Sequence, residues 1–219
     1  MNGAARSVRV KVCGLTRPED ALAAEELGVD AIGLVFAASS PRRVDEAAAR
    51  EVAAAVGPFV VKVGVFRDQP LGEVLRLVAS LGLDAVQLHG AEDAAYAAAV
   101  RERARVVRAL PAEAAAAPAL LEGYPADAFL LDAREPGSGR TFAWERAAAW
   151  RGHPRLVVAG GLTPANVAAA IAALRPYAVD VSTGVEAAPG VKDRRLIEGF
   201  VRAARGEVIH SPSGEAAAG

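Results

Sequence analysis

VRVKVCGLTRPEDA, residues 8–21, contains one complete unit of the architecture. Val8, Val10 and Val12 alternate with Arg9, Lys11 and Cys13, the two-residue period of a strand with unlike faces. Gly14 ends the alternation. Thr16, Pro18, Glu19 and Asp20 then supply the cap, first-turn proline and early acids of a helix start, with Thr16 expected as the cap. Cys13, the single cysteine of the chain, therefore sits where a strand gives way to a loop and a helix.

The same unit recurs without the sequence repeating. Strands are predicted near residues 8–13, 30–36, 59–66, 84–88, 105–110, 127–131, 155–159 and 178–182. Between them lie stretches with helical spacing, such as EDALAAEELG, DEAAAREVAAAVG, LGEVLRLVASLG, AEDAAYAAAVRER, TPANVAAAIAALRP and KDRRLIEGFVRAAR. AEAAAAPALLEGY carries Pro118, and an interior proline breaks or kinks a helix. Strict strand–helix alternation at roughly 25 residues per unit implies parallel strands joined by right-handed crossovers, and eight such units close into a barrel. The expected fold is α/β, a single-domain (βα)8 TIM barrel over residues 8–205, with residues 1–7 and 206–219 as flexible termini. An open doubly wound sheet is the rival, but such sheets more often stop at five or six strands.

Bulk properties narrow the setting. A chain of 219 residues with 53% apolar composition can bury a substantial core. A net charge of −1 gives no electrostatic reason to expect nucleic acid or an anionic membrane as partner, so substrate charge must be met locally. One cysteine means no internal disulfide and no cysteine-based metal cluster, which suits a reducing compartment. No apolar run reaches membrane-spanning length and the amino terminus lacks signal-peptide order, so a cytoplasmic protein is expected, as monomer or homodimer.

In such barrels chemistry sits at the carboxyl ends of the strands, where eight loops converge. The strand-end candidates are Cys13, Arg42 and Arg43, Arg67 and Asp68, His89, Asp132, the glycines of VVAGGLTPANV and the loop VDVSTGVE. Gly160 and Gly161 let backbone approach an anion, and Thr163, Pro164 and Asn166 open a helix whose amide dipoles favour negative charge. Ser182, Thr183 and Gly184 offer a second small polar lip. Loops after strands seven and eight commonly hold a phosphate in these barrels, although a Gly-Gly pair also serves as a plain turn. Neither GxxxxGK[ST] nor GxGxxG occurs, which argues against nucleoside triphosphates and dinucleotides and for a phosphorylated small molecule.

Strand parity puts Lys11 and Cys13 on one face, pointing into the barrel if the valines pack on helices. A buried cysteine is ordinarily a small hydrophobe. A nearby ammonium and adjacent helix starts would instead be expected to lower its pKa and make thiolate available near neutral pH. Asp132 follows AFLL and reads either as a cap or loop ion pair or as a rim carboxyl with chemistry to do. Strands one and six are three apart in an eight-strand ring, so Cys13 and Asp132 would face each other as base and acid across one substrate.

KVCGLT, SPRRV, KVGVF, VQLHG, FLLD followed by GSG, VAGGLTPANV and VDVSTGVEAAPGVKD occur in that order over residues 8–205. Together they resemble the phosphoribosylanthranilate isomerase family of tryptophan biosynthesis. The resemblance implies a cofactor-free, metal-free Amadori rearrangement with Asp132 as general acid and Cys13 as general base. It implies Arg42 on the anthranilate carboxylate, where a solvated loop arginine is the other reading, and the phosphate on Gly160, Gly161, Ser182, Thr183 and Gly184. His89 falls in the QLHG loop as a substrate-positioning residue or a satisfied loop histidine. Asp180 is expected in a buried hydrogen bond and Glu186 as a loop partner. Two departures stand out: Thr183 replaces a second serine, and REPGSGRTFAW after Asp132 has fewer glycines than many relatives. A metal-dependent epimerase would want clustered histidines, which positions 89, 153 and 210 do not provide. An indole-forming synthase would want further strand-end lysines, and a barrel that has lost its chemistry would not need both Cys13 and Asp132.

Overall fold

The computed structural model describes residues 7–112, 118–132 and 144–206. Most of the two expected loose termini, the loop after Asp132 and the first half of the Pro118 stretch lie outside these described residues. Eight parallel strands close into one barrel in the order β1 to β8: Arg9–Cys13, Ala31–Val35, Val61–Phe66, Ala85–Leu88, Arg105–Pro111, Ala128–Asp132, Leu156–Val158 and Ala178–Val181. Closure is made by β8 pairing back onto β1, with Val10 opposite Val179 and Lys11 opposite Asp180. An open sheet is thereby excluded.

Six α-helices wrap the described barrel: α1 Pro18–Glu26, α2 Glu46–Ala54, α3 Leu71–Leu81, α4 Ala94–Arg101, α5 Val167–Leu174 and α6 Arg194–Arg205. The expected eight-fold strand–helix alternation is thus modified. The described parts of the β5–β6 and β6–β7 connections contain 3₁₀ segments instead, Pro118–Leu121 and Trp144–Trp150. Pro118 opens the first of these, where its missing N–H costs nothing. A two-stranded antiparallel ribbon, β9 (Glu186–Ala188) and β10 (Val191–Lys192), follows β8 and has no counterpart in the expected strands.

Local chemistry accounts for the elements. Asp45, Asp93 and Asp193 cap α2, α4 and α6 by accepting backbone N–H bonds, those from Ala48 and Tyr96 being 2.9 and 2.8 Å. Thr16 does not cap α1. Its hydroxyl donates to the Gly190 carbonyl at 2.6 Å, and Pro18 starts the helix without a side-chain cap. Helix α3 buries Val74, Leu77, Val78 and Leu81, one face at helical spacing.

The strands sort their side chains by parity. Val10 and Val12 are fully buried in the layer between sheet and helices, whereas Lys11 and Cys13 point inward. The barrel interior is filled by Ala109, Leu130, Val157, Ala159 and Ala178. Polar and charged residues share that interior: Lys11, Asp180 and Gln87 are buried among the small side chains. No helix among the described residues is long and apolar enough to cross a membrane.

Phe66 ends β3 with no exposed surface and stacks on Phe36 at 5.0 Å between ring centres. Replacing it removes both burial and the stacked pair. Phe66→Ala is expected to lose about 3–5 kcal/mol, read as a lower urea midpoint at unchanged slope in far-ultraviolet circular dichroism.

Candidate active site

A cavity of about 200 Å³ opens at the carboxyl ends of the barrel strands. That is several times the roughly 30 Å³ share of a water molecule in the liquid, so it suits a small molecule. Cys13, Arg42, His89, Asp132, Gly160, Gly161, Ser182, Thr183 and Gly184 all line it, and Arg67 reaches it too. Asp68 does not. It adopts φ of 61° and accepts the Ala91 N–H at 2.6 Å, so it shapes a turn at the rim.

The floor is an ion pair. Lys11 Nζ donates to Asp180 Oδ2 at 2.8 Å and to Gln87 Oε1 at 3.1 Å. Burial alone would pull the Lys11 ammonium down, but Asp180 and the Cys13 sulfur face it and hold it above its ordinary range. Burial pushes the Asp180 carboxyl up while Lys11 pulls it the other way. The 2.8 Å contact decides for a charged pair, since an ammonium without a counter-charge would not keep its proton there. Asp180 Oδ1 is buried with no hydrogen-bond partner among the described residues.

Cys13 lies two residues beyond Lys11 on the same face of β1. Its register partner on β2 is Gly33, and a Cβ there would stand 2.6 Å from the sulfur, so the thiol has its space because that position is glycine. Burial pushes the Cys13 thiol up, and Lys11 only partly offsets this. The sequence-based expectation of a lowered pKa is therefore corrected: desolvation of the thiolate outweighs the neighbouring ammonium.

Across the mouth, Asp132 Oδ2 lies 3.5 Å from His89 Nε2. His89 Nδ1 is in turn 3.3 Å from Gln87 Nε2. Arg42 is buried, not solvated. Its Nε and Nη2 each reach Glu186 at 2.7 Å, and Nη2 also reaches Thr183 Oγ1 at 3.2 Å. Lys192 Nζ approaches the same carboxylate at 2.7 Å and the Ser182 carbonyl at 3.2 Å. Burial would raise the Glu186 carboxyl, but Arg42 and Lys192 hold it below the usual carboxylate range. Nη1 of Arg42 makes no hydrogen bond among the described residues and is the part of the fork open to a ligand. Beside Cys13, Val35, Ala37 and Val65 form an apolar wall.

The loops after β7 and β8 make the opposite lip. Gly160 and Gly161 have φ of 82° and 64°, the left-handed region that glycine enters freely. Asn166 pins that loop, accepting from Thr163 N at 2.8 Å and donating to the Gly161 carbonyl at 3.0 Å, instead of capping α5. The two loops touch at Gly184, where a Cβ would fall 1.9 Å from the Leu162 carbonyl oxygen. This arrangement offers backbone and small hydroxyls to an anion. Among the described residues no three His, Cys, Asp or Glu side chains gather as a cation site.

Sequence reasoning missed Gln87, Lys192 and the wall of Val35, Ala37 and Val65. Gln87 did carry a signal, a polar residue between apolar ones at the same parity as His89. Lys192 depends on the unexpected β9–β10 ribbon.

Comparison with known proteins agrees with this geometry. Residues 10–203 match the model of the family described as N-(5'phosphoribosyl)anthranilate (PRA) isomerase. The N-(5'-phosphoribosyl)anthranilate isomerase of Rubrobacter xylanophilus is 49% identical over 203 residues, covering 90% of this chain and 98% of the relative. The crystal structure of the phosphoribosyl anthranilate isomerase of Thermus thermophilus superimposes with a TM-score of 0.84 at 47% identity, covering 90% of this chain and 98% of that one. Another such isomerase, solved in complex with reduced 1-(o-carboxyphenylamino)-1-deoxyribulose 5-phosphate, gives a TM-score of 0.79 at 39% identity, covering 91% and 99%.

The contact at Gly184 is testable on its own. Gly184→Ala forces the two glycine loops apart, and its Kd for inorganic phosphate by calorimetry is expected to rise about tenfold, with the circular dichroism of the barrel kept.

Proposed function

Because this chain belongs to the N-(5'-phosphoribosyl)anthranilate isomerase family of tryptophan biosynthesis, we propose that Asp132 and Cys13 carry its Amadori rearrangement as general acid and general base. The substrate is N-(5-phosphoribosyl)anthranilate and the product 1-(2-carboxyphenylamino)-1-deoxyribulose 5-phosphate. The observation that carries this reading is that both side chains line one cavity from β1 and β6, three strands apart, with the glycine loops beside them.

In the first step Asp132, in its acid form, protonates the furanose ring oxygen. The bond from that oxygen to C1 breaks as the anilino nitrogen shares its lone pair, giving an open-chain iminium. The Cys13 thiolate then takes the proton from C2, and the C–H electrons form the C1=C2 bond of an enolamine. Tautomerisation moves the hydroxyl proton to C1 and leaves a ketone at C2. C1 is reduced and C2 oxidised within one molecule, an intramolecular oxidoreduction that needs no external electron carrier.

A thiol whose pKa is raised by burial suits this role. The raised pKa lowers the thiolate population but makes each thiolate a stronger base, and the cationic iminium labilises the proton it must take. Arg42, held from behind by Glu186, turns Nη1 to the anthranilate carboxylate. The Val35, Ala37 and Val65 wall takes the benzene ring. Gly160, Gly161, Ser182, Thr183 and Gly184 receive the phosphate, and the unpaired Oδ1 of Asp180 accepts from a sugar hydroxyl.

Turnover is followed as the loss of phosphoribosylanthranilate fluorescence. Cys13→Ser and Asp132→Asn are each expected to fold and to bind the reduced product analogue while kcat falls by at least about a hundredfold. Full activity in either variant would overturn the role assigned to that residue.

A further inference from the structure

The buried polar groups beneath the cavity form an unbroken chain whose donors and acceptors can be matched from one end. Lys11 Nζ is a donor only, and it lies 3.1 Å from the oxygen of the Gln87 amide. That contact orients the amide, so its NH₂ group is the one that faces His89 Nδ1 at 3.3 Å. An NH₂ group donates and cannot accept. Nδ1 must then be the unprotonated, accepting nitrogen, and the ring proton belongs on Nε2, which lies 3.5 Å from Asp132 Oδ2. Gln87 and Lys11 are both buried, and Asp180 holds the ammonium at 2.8 Å, so no water-driven flip of the amide competes.

We infer that Gln87 is a positioning residue that fixes His89 as the neutral Nε2–H tautomer, aiming an N–H donor at the Asp132 carboxyl. A ring proton on Nδ1 would set two donors against each other across 3.3 Å. His89 then serves Asp132 as a fixed donor that steadies the carboxylate left after proton transfer, and it does not compete with Asp132 for the substrate. The charged groups around the ring are Asp132 from β6, Asp180 from β8, Lys11 from β1 acting through Gln87, and Arg67 at the rim after β3. From β5, Arg108 turns away to Glu92 at 2.9 Å.

The consequence for catalysis rests on the reading of Asp132 as the acid, but the tautomer does not. Long-range ¹H–¹⁵N spectra of the imidazoles, recorded on the ligand-free full chain at neutral pH and assigned with His89→Asn, read it directly. His89 is expected to show a pyrrole-type Nε2 and a pyridine-type Nδ1. Gln87→Glu, which offers Nδ1 an acceptor, is expected to convert both nitrogens to the protonated type. Gln87→Met, similar in shape but without a donor, is expected to lose the single-tautomer pattern, with kcat falling about tenfold and KM nearly unchanged. A wild-type spectrum with the proton on Nδ1 or on both nitrogens overturns the inference without need of any variant. So does a Gln87→Met spectrum identical to wild type.

Discussion

An ammonium inside a barrel is the constraint on which the rest of this molecule depends. Lys11 and Asp180 are register partners where β8 closes onto β1, and their 2.8 Å contact is almost wholly cut off from solvent. Leaving either charge alone there would cost about 3–5 kcal/mol, so the two must be kept or lost together. The pair also sets the electrostatics above it. It stands two residues below Cys13 on the same face, orients the amide of Gln87 and, through that amide, the ring of His89. A neutral core would close the same barrel, but it would take from the thiol the ammonium that most opposes its burial.

A second buried network does for the loops what the first does for the strands. Glu186 gathers Arg42 from the loop after β2 and Lys192 from β10, and Lys192 reaches on to Ser182. The loop after β2 is thus tied to the segment from Ser182 to Lys192 beside the glycine lips. Because Glu186 grips Nε and Nη2 of the guanidinium, the orientation of the charge that Arg42 brings to the cavity is fixed. A chain of net charge −1 meets an anionic substrate by such local placement and not by an overall field.

What was legible in the sequence is what short-range pattern encodes. The valine alternation of residues 8–12 told which side of β1 faces the helices, and the order of strands and helices told the barrel. Of the strand-end candidates, Cys13, Arg42, Arg67, His89, Asp132 and the glycine loops reach the cavity and Arg43 and Asp68 do not, because parity and strand ends are local properties while the path of a rim loop is not. The failures involve burial and contacts that only the folded chain brings about. Thr16 has the residue type of a cap, but a carbonyl 174 positions away claims its hydroxyl. The thiol of Cys13 has an ammonium two residues before it, which a sequence displays, and a desolvated setting, which it does not; burial won. Gln87 matters through Lys11 on another strand, and Lys192 through a ribbon that folds back onto Glu186 and Ser182.

The chain's single cysteine allows the central claim, that the Lys11–Asp180 pair governs the mouth, to be measured at one atom. The pH dependence of Cys13 alkylation by iodoacetamide is compared between the wild type and the neutral, near-isosteric Lys11→Met/Asp180→Asn double variant. The wild-type thiol is expected to titrate above the roughly 8.5 of a free cysteine, and the double variant higher still, because the attraction of Lys11 outweighs the repulsion of Asp180. A double variant that titrates at the wild-type pH or below would contradict the account.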